Sequence, residues 1–206
     1  AISPLDFRVE EGGSLGIIGN NGAGKTTLLR LLAGIISPST GRVESRGHLL
    51  AFMGIASGIH PHLNGWDNLF LKASSLGLSR REIRSRLPAM AEFSGLGTFL
   101  HEPVREYSTG MVIRLAFSAY LFTDFDILLI DESIAGGDQD FQRQCLDRLH
   151  AFRKAGKTFC LVSHGLEVVE QFCARTLWLH GGKVQALGPS TPILERYRQA
   201  SGRGPN

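Results

Sequence analysis

The run Gly19-Asn20-Asn21-Gly22-Ala23-Gly24-Lys25-Thr26, followed by Thr27, fits the pattern G-x-x-x-x-G-K-[ST]. Glycines at these positions let successive backbone N–H groups turn inward on phosphate oxygens. A helix opening behind them adds the positive end of its dipole. In such a loop Lys25 neutralises the β- and γ-phosphates of a nucleoside triphosphate, and the Thr26 hydroxyl ligates Mg²⁺. Asn20 to Thr27 are therefore the expected nucleotide-binding residues, with a nucleoside triphosphate and Mg²⁺ as the expected ligands.

A second group of residues supplies what hydrolysis needs. Ile127 to Ile130 is an apolar run ending in Asp131-Glu132, so a buried strand would deliver two carboxylates to one end of a sheet. Asp131 is expected to hold Mg²⁺ through water, and Glu132 to polarise the attacking water. His164 follows the apolar stretch Thr158 to Val162 and Ser163. A histidine at a strand end faces the crevice where open α/β sheets bind ligands, which separates it from the chain's six other histidines. Glu132 and His164 are the candidate catalytic residues.

The elements that must position these groups follow from periodicity. Leu5 to Val9 alternates apolar and polar, which predicts a half-exposed strand. Leu15 to Ile18 predicts a buried strand and Lys25 to Gly34 a helix, giving the strand, glycine loop, helix order that a phosphate site requires. Residues 66–106 read as helical, with Ser79 and Glu82 forming a capping box and Pro88 expected to kink or split its helix. Ser108 to Phe122 reads as a helix, Asp126 to Asp131 as a strand, and Asp138 to Ala155 as an amphipathic helix stopped by Gly156. Strand Thr158 to Ser163, helix Leu166 to Cys173 and two short strands joined at Gly181-Gly182 complete the pattern. Alternating strands and helices predict an α/β fold with a mostly parallel sheet, a small antiparallel part and a helical subdomain inserted at about 66–122. Residues 1–200 are expected to form one nucleotide-binding domain, ending in a polar, disordered tail at 201–206.

Composition narrows the class further. In 206 residues, 22 Lys and Arg against 19 Asp and Glu leave a net charge of +3, too weak to argue for a nucleic-acid partner. No apolar run approaches the ~20 residues of a bilayer-crossing helix. Cys145, Cys160 and Cys173 lack metal-ligand spacing and read as reduced, buried core thiols of a cytosolic protein. The chain opens on Ala1 rather than methionine, so further sequence is expected ahead of it.

Tyr107-Ser108-Thr109-Gly110-Met111 opens a helix directly before the Ile-Asp-Glu strand. The order of phosphate loop, helical insertion, Ser-x-Gly at a helix start, Ile-Asp-Glu strand and strand-end histidine resembles the nucleotide-binding subunit of an ABC transporter, from about Leu5 to Ala186. The resemblance implies a homodimer in which the signature residues Ser108, Thr109, Gly110 and Met111 act in trans on ATP held by the partner copy. It also implies that Asp138, in Ala135-Gly-Gly-Asp138, stands in the dimer-contact loop. A membrane permease and a peripheral location on the cytoplasmic face of the bacterial inner membrane follow from the same likeness.

Two departures from the usual family pattern point to one branch. The signature reads Tyr-Ser-Thr-Gly-Met rather than Leu-Ser-Gly-Gly-Gln, and no glutamine precedes Gln139, so the usual Mg²⁺-contacting Gln is missing. With Arg114-Leu-Ala-Phe-Ser118 and Gly137 to Cys145, these features resemble the subunits that drive capsule, O-antigen or teichoic acid export. The family's adenine-stacking aromatic would lie upstream of the first strand, since Phe7 is too far inside it. Two rival classes remain: a soluble ABC-type switch without a membrane partner, and a P-loop kinase. Arg80, Arg81, Arg84 and Arg86 cluster on the helical insertion, either as a solvated face or facing anionic headgroups.

Overall fold

A computed structural model describes residues 2–54, 58–131 and 138–202. Its described residues fall into two compact units. One holds residues 2–51, 125–131 and 150–202, and the other holds Phe52–Asp124 with the next helix as far as Leu149.

The first unit is built on a sheet. Strand β1, Ser14–Ile18, is buried along its whole length, and so is β4, Thr158–Val162. Strand β3, Ile127–Ile130, lies beside β4, and β2, Leu49–Phe52, forms one edge. Strands β5, Arg175–His180, and β6, Lys183–Pro189, complete the order β2-β3-β4-β1-β5-β6. The pairs β3–β4, β4–β1 and β1–β5 are parallel, and β5–β6 is an antiparallel hairpin turning at Gly181-Gly182. Apolar runs without alternation, such as Ile127–Ile130 and Leu15–Ile18, are what a parallel sheet covered on both faces requires. Helices α1, Lys25–Leu32, α6, Leu166–Phe172, and α7, Ser190–Ala200, belong to this unit.

The second unit is helical. Helices α2, Gly65–Ser75, α3, Arg80–Ser94, and α4, Thr109–Leu121, enclose Leu69, Ala73, Ile83, Met90, Leu115 and Ala119. Phe52 packs edge-on against both Phe117 and Tyr120 at 4.8 Å between ring centroids, a geometry that adds about 0.5–1.5 kcal/mol per pair beyond area burial. Helix α5, Gln139–Lys154, buries Phe141, Cys145 and Leu149, the apolar stripe that its sequence period predicts. The capping box of α3 forms as expected: Ser79 Oγ accepts from the Glu82 N–H while the Glu82 carboxylate accepts from the Ser79 N–H.

One expectation is narrowed and another corrected. Pro88 neither splits nor ends α3, which runs unbroken from Arg80 to Ser94. Pro88 and Arg84 both lie on the exposed face, where the carbonyl that proline leaves without a donor is open to solvent, while Ile83, Met90 and Ala91 hold the other face in the core. Leu5 to Val9 forms no strand: its exposure alternates with period two, as the sequence says, but it carries no ladder. Strand β2 and helix α7 were not expected from the sequence. The arginine cluster divides, because Arg86 donates to Phe122 O and Asp124 Oδ2 at 2.8 and 2.7 Å while Arg80, Arg81 and Arg84 are exposed.

Candidate functional site

Three neighbouring parallel strands deliver the candidate residues to one edge of the sheet. The C-terminal end of β1 leads into Gly19, that of β3 into Asp131, and that of β4 into Ser163 and His164. Because these strands run parallel and adjacent in the order β3-β4-β1, their carboxyl ends open on a common crevice.

The loop after β1 is shaped by close approach. Gly19 has φ of 151°, and a Cβ there would overlap the Leu179 carbonyl oxygen, so no larger residue fits. Gly24, the N-cap of α1, sits at φ 103°, again in the region that favours glycine. The turn is closed by the Ala23 N–H donating to Asn20 O at 3.1 Å. Lys25 is only 5% exposed, and its Nζ donates to Gly19 O at 2.8 Å and Asn20 O at 3.2 Å. The loop's own carbonyls therefore hold the ammonium against the strand end. Helix α1 has no side-chain cap and no acidic residue in its first turn, so its positive end is not neutralised locally. Thr26 and Thr27 are exposed at that end.

A cavity of about 310 Å³ lies beside this loop, lined by Asn20, Asn21, His164 and Tyr197. His164 is exposed, and the loop behind it is braced by Ser163 Oγ, which accepts from the Gly165 N–H at 3.0 Å. The donors fit their expected ligand: a buried ammonium, an uncapped helix start and two asparagine amides suit the oxygens of a polyphosphate. The Thr26 hydroxyl and the half-buried Asp131 carboxylate are hard oxygen ligands of the kind Mg²⁺ prefers. Glu132 lies outside the described residues.

The signature residues belong to the helical unit. Ser108 is the N-cap of α4, and its Oγ accepts from the Met111 N–H at 3.3 Å. Ser108 and Thr109 are exposed, Gly110 and Met111 half-buried, and the first turn contains no acidic residue. Tyr107 is buried behind them and donates from its hydroxyl to Phe99 O at 2.6 Å, with burial raising its pKa. In this chain both Asp138 oxygens are engaged. Oδ1 accepts from the Phe141 N–H at 2.9 Å, capping α5, and Oδ2 pairs with Arg114 Nη1 at 2.8 Å.

Three residues enter the site description without having been singled out from the sequence for a role. Arg114 ties α4 to Asp138, donates to Ser94 O at 2.8 Å and covers the Phe141 ring. Lys72 is buried in α2 with its ammonium 4.7 Å from the Tyr120 ring centroid, and desolvation lowers its pKa. Tyr197 reaches the phosphate loop from α7. Only Arg114 carried a sequence signal, as the first residue of the run Arg114-Leu-Ala-Phe-Ser118 that resembles the export branch. The thiols of Cys145, Cys160 and Cys173 are all buried and free, each with its pKa pushed up to about 12 by desolvation.

A parallel sheet with a glycine-rich phosphate loop after its central strand, and a separate helical unit, defines a P-loop nucleotide-binding protein. Residues 2–135 match the family described as ABC transporter. The chain is 41% identical over 200 residues to the O-antigen export system ATP-binding protein RfbB of Klebsiella pneumoniae, covering 97% of this chain and 81% of that protein. It is 38% identical over 199 residues to the teichoic acids export ATP-binding protein TagH of Staphylococcus haemolyticus, covering 97% and 75%. Its fold matches a dimeric, post-hydrolysis ATP-binding cassette bound to ADP and Pi, with a TM-score of 0.76 at 21% identity over 92% of this chain and 90% of that one. This chain belongs to the ABC transporter family, as an ATPase subunit.

Proposed function

We propose that this subunit powers export of a polysaccharide or lipid-linked glycan. It works as a homodimer bound to separate transmembrane subunits on the cytoplasmic face of the bacterial inner membrane. The observation that carries the reading is the buried Lys25 ammonium, gathered by Gly19 O and Asn20 O at the uncapped start of α1. Relatives named for O-antigen and teichoic acid export support the substrate class over a soluble switch.

Asn20 to Thr27 bind the triphosphate, with Lys25 supplying positive charge to the β- and γ-phosphates. Mg²⁺, held by Thr26 and through water by Asp131, would neutralise charge on the transferred phosphoryl group. Glu132 accepts a proton as the attacking water bonds to the γ-phosphorus and ADP departs with the bond electrons. His164 donates a hydrogen bond to the γ-phosphate and orients the carboxylate. From the partner copy, Ser108 to Met111 present the start of α4, whose unneutralised dipole favours the same anion. Asp138 lines the dimer contact, and the helical lobe at about 66–122 passes closure to the membrane subunits.

Replacing Glu132 with Gln tests the chemistry. ATP turnover should fall at least about a hundredfold with ATP binding retained, and a variant hydrolysing at the wild-type rate refutes the assignment. Co-purification with a polytopic membrane protein tests the transport half, and a chain isolated without any such partner refutes it.

A further inference from the structure

Helix α7 is the last element described, yet it reaches the phosphate loop. Its Tyr197 hydroxyl donates to Asn20 Oδ1 at 3.1 Å, across a sequence separation of 177 residues. The helix is firmly seated. Ser190 at its start donates to Cys173 O and accepts from Thr176 Oγ1 at 2.8 Å, and Arg198 pairs with Glu170 at 2.8 Å. The Tyr197 ring is 5% exposed and stands edge-on to Trp178 at 5.3 Å. Its hydroxyl is thus held at a fixed point on the wall of the cavity it shares with Asn20, Asn21 and His164.

The chemistry of that contact has a direction. An asparagine carboxamide has an accepting end and a donating end. An acceptor turned toward a phosphate repels it, whereas an N–H₂ attracts it. Tyr197 occupies the oxygen of Asn20, which leaves the nitrogen end as the donor beside an anion pocket. We infer that Tyr197 is a positioning residue for the nucleotide, orienting the Asn20 amide to donate to the terminal phosphate of a bound nucleoside triphosphate. This rests on the ATPase reading above, which puts His164, on the same cavity wall, at the γ-phosphate. The last helix described thereby becomes part of the triphosphate sensor.

The test measures ATP and ADP dissociation constants by calorimetry for the full chain with Mg²⁺, in wild type, Tyr197→Phe, Asn20→Ala and the double variant. Tyr197→Phe keeps the ring against Trp178 and removes only the hydroxyl. ATP affinity should fall about three- to tenfold, the worth of one hydrogen bond, with ADP affinity nearly unchanged. In the Asn20→Ala background the tyrosine substitution should add nothing. Asn20→Asp, which has no donating end and leaves α7 untouched, should lose ATP affinity in preference to ADP even with Tyr197 present. Equal losses for ATP and ADP would mark a merely structural tyrosine and overturn the inference. So would no loss of ATP affinity in Tyr197→Phe, or a loss that persists without Asn20. A wild-type chain that binds no ATP overturns the ATPase reading and this inference together.

Discussion

The two oxygens of Asp138 do separable work, and substitution can take them apart. Oδ1 caps α5 through the Phe141 N–H, while Oδ2 pairs with Arg114. An N-cap carboxylate contributes about 1 kcal/mol relative to alanine, and asparagine caps almost as well. The ion pair is part-exposed, with side-chain exposure of 22% for Arg114 and 58% for Asp138, which limits it to about 0.5–1 kcal/mol. Asp138→Ala should therefore destabilise the helical unit by about 1.5–2 kcal/mol, and Asp138→Asn by only the smaller ion-pair share. Arg114→Met should cost about 2–3 kcal/mol, because it also leaves Ser94 O without its donor and uncovers Phe141. The chain's two tryptophans are Trp66, in the helical unit, and Trp178, in the other. In a Trp178→Phe background, urea unfolding followed by fluorescence thus reports on the helical unit. The double cycle of Asp138→Asn with Arg114→Met should return a coupling of about 0.5–1 kcal/mol that shrinks in 1 M salt. Equal losses for Asp138→Ala and Asp138→Asn would refute the cap, and a coupling of zero would refute the ion pair.

Other outcomes follow from the same structure. A Cβ on Gly16 would overlap Val169 Cγ1 and press on Cys173, so Gly16→Ala should cost about 1–3 kcal/mol; urea titration should show the loss and its partial recovery on adding Val169→Ala. Native Cys145, Cys160 and Cys173, raised to about 12, should resist a thiol reagent at pH 8 and all react once the chain unfolds. Since the unfolded thiols ionise near their ordinary pKa and the folded ones do not, unfolding releases protons above about pH 9. The contribution of these thiols to stability is then complete below that pH and lost as pH rises toward 12, which urea titrations across pH 8–11 would detect. Lys25→Ala should abolish ATP binding by calorimetry while circular dichroism stays native, because it removes the ammonium held at the phosphate loop by Gly19 O and Asn20 O and leaves the sheet's apolar core intact.

Local patterns were legible and distant ones were not. Gly19 to Thr26 could be read because a phosphate loop needs its glycines and lysine within eight positions. Strand β3 could be read because its unbroken apolar run ends in two carboxylates, and helix α5 because its helical period is unambiguous. The alternation of Leu5 to Val9 was real, but a strand also needs a partner, and periodicity does not supply one. Strand β2 is four residues with no alternation to mark it. Helix α7 begins directly at the end of β6, with Pro192 in its first turn as the one boundary signal. Whether Pro88 would split α3 was not legible, because the cost depends on whether the orphaned carbonyl meets solvent, which propensity alone does not encode. Tyr197 and Asn20 are joined only by the fold.

The central claim is that each ATP is hydrolysed between two copies, by the phosphate loop of one and the signature of the other. Mixing Lys25→Ala chains with Gly110→Asp chains, each inactive alone, tests it most directly. A mixed pair then holds one intact site, and random pairing predicts about a quarter of the wild-type ATPase rate. Gly110→Asp chains that keep full ATP binding would agree with this account. A mixture as inactive as its components, or Gly110→Asp chains that hydrolyse ATP normally on their own, would contradict it.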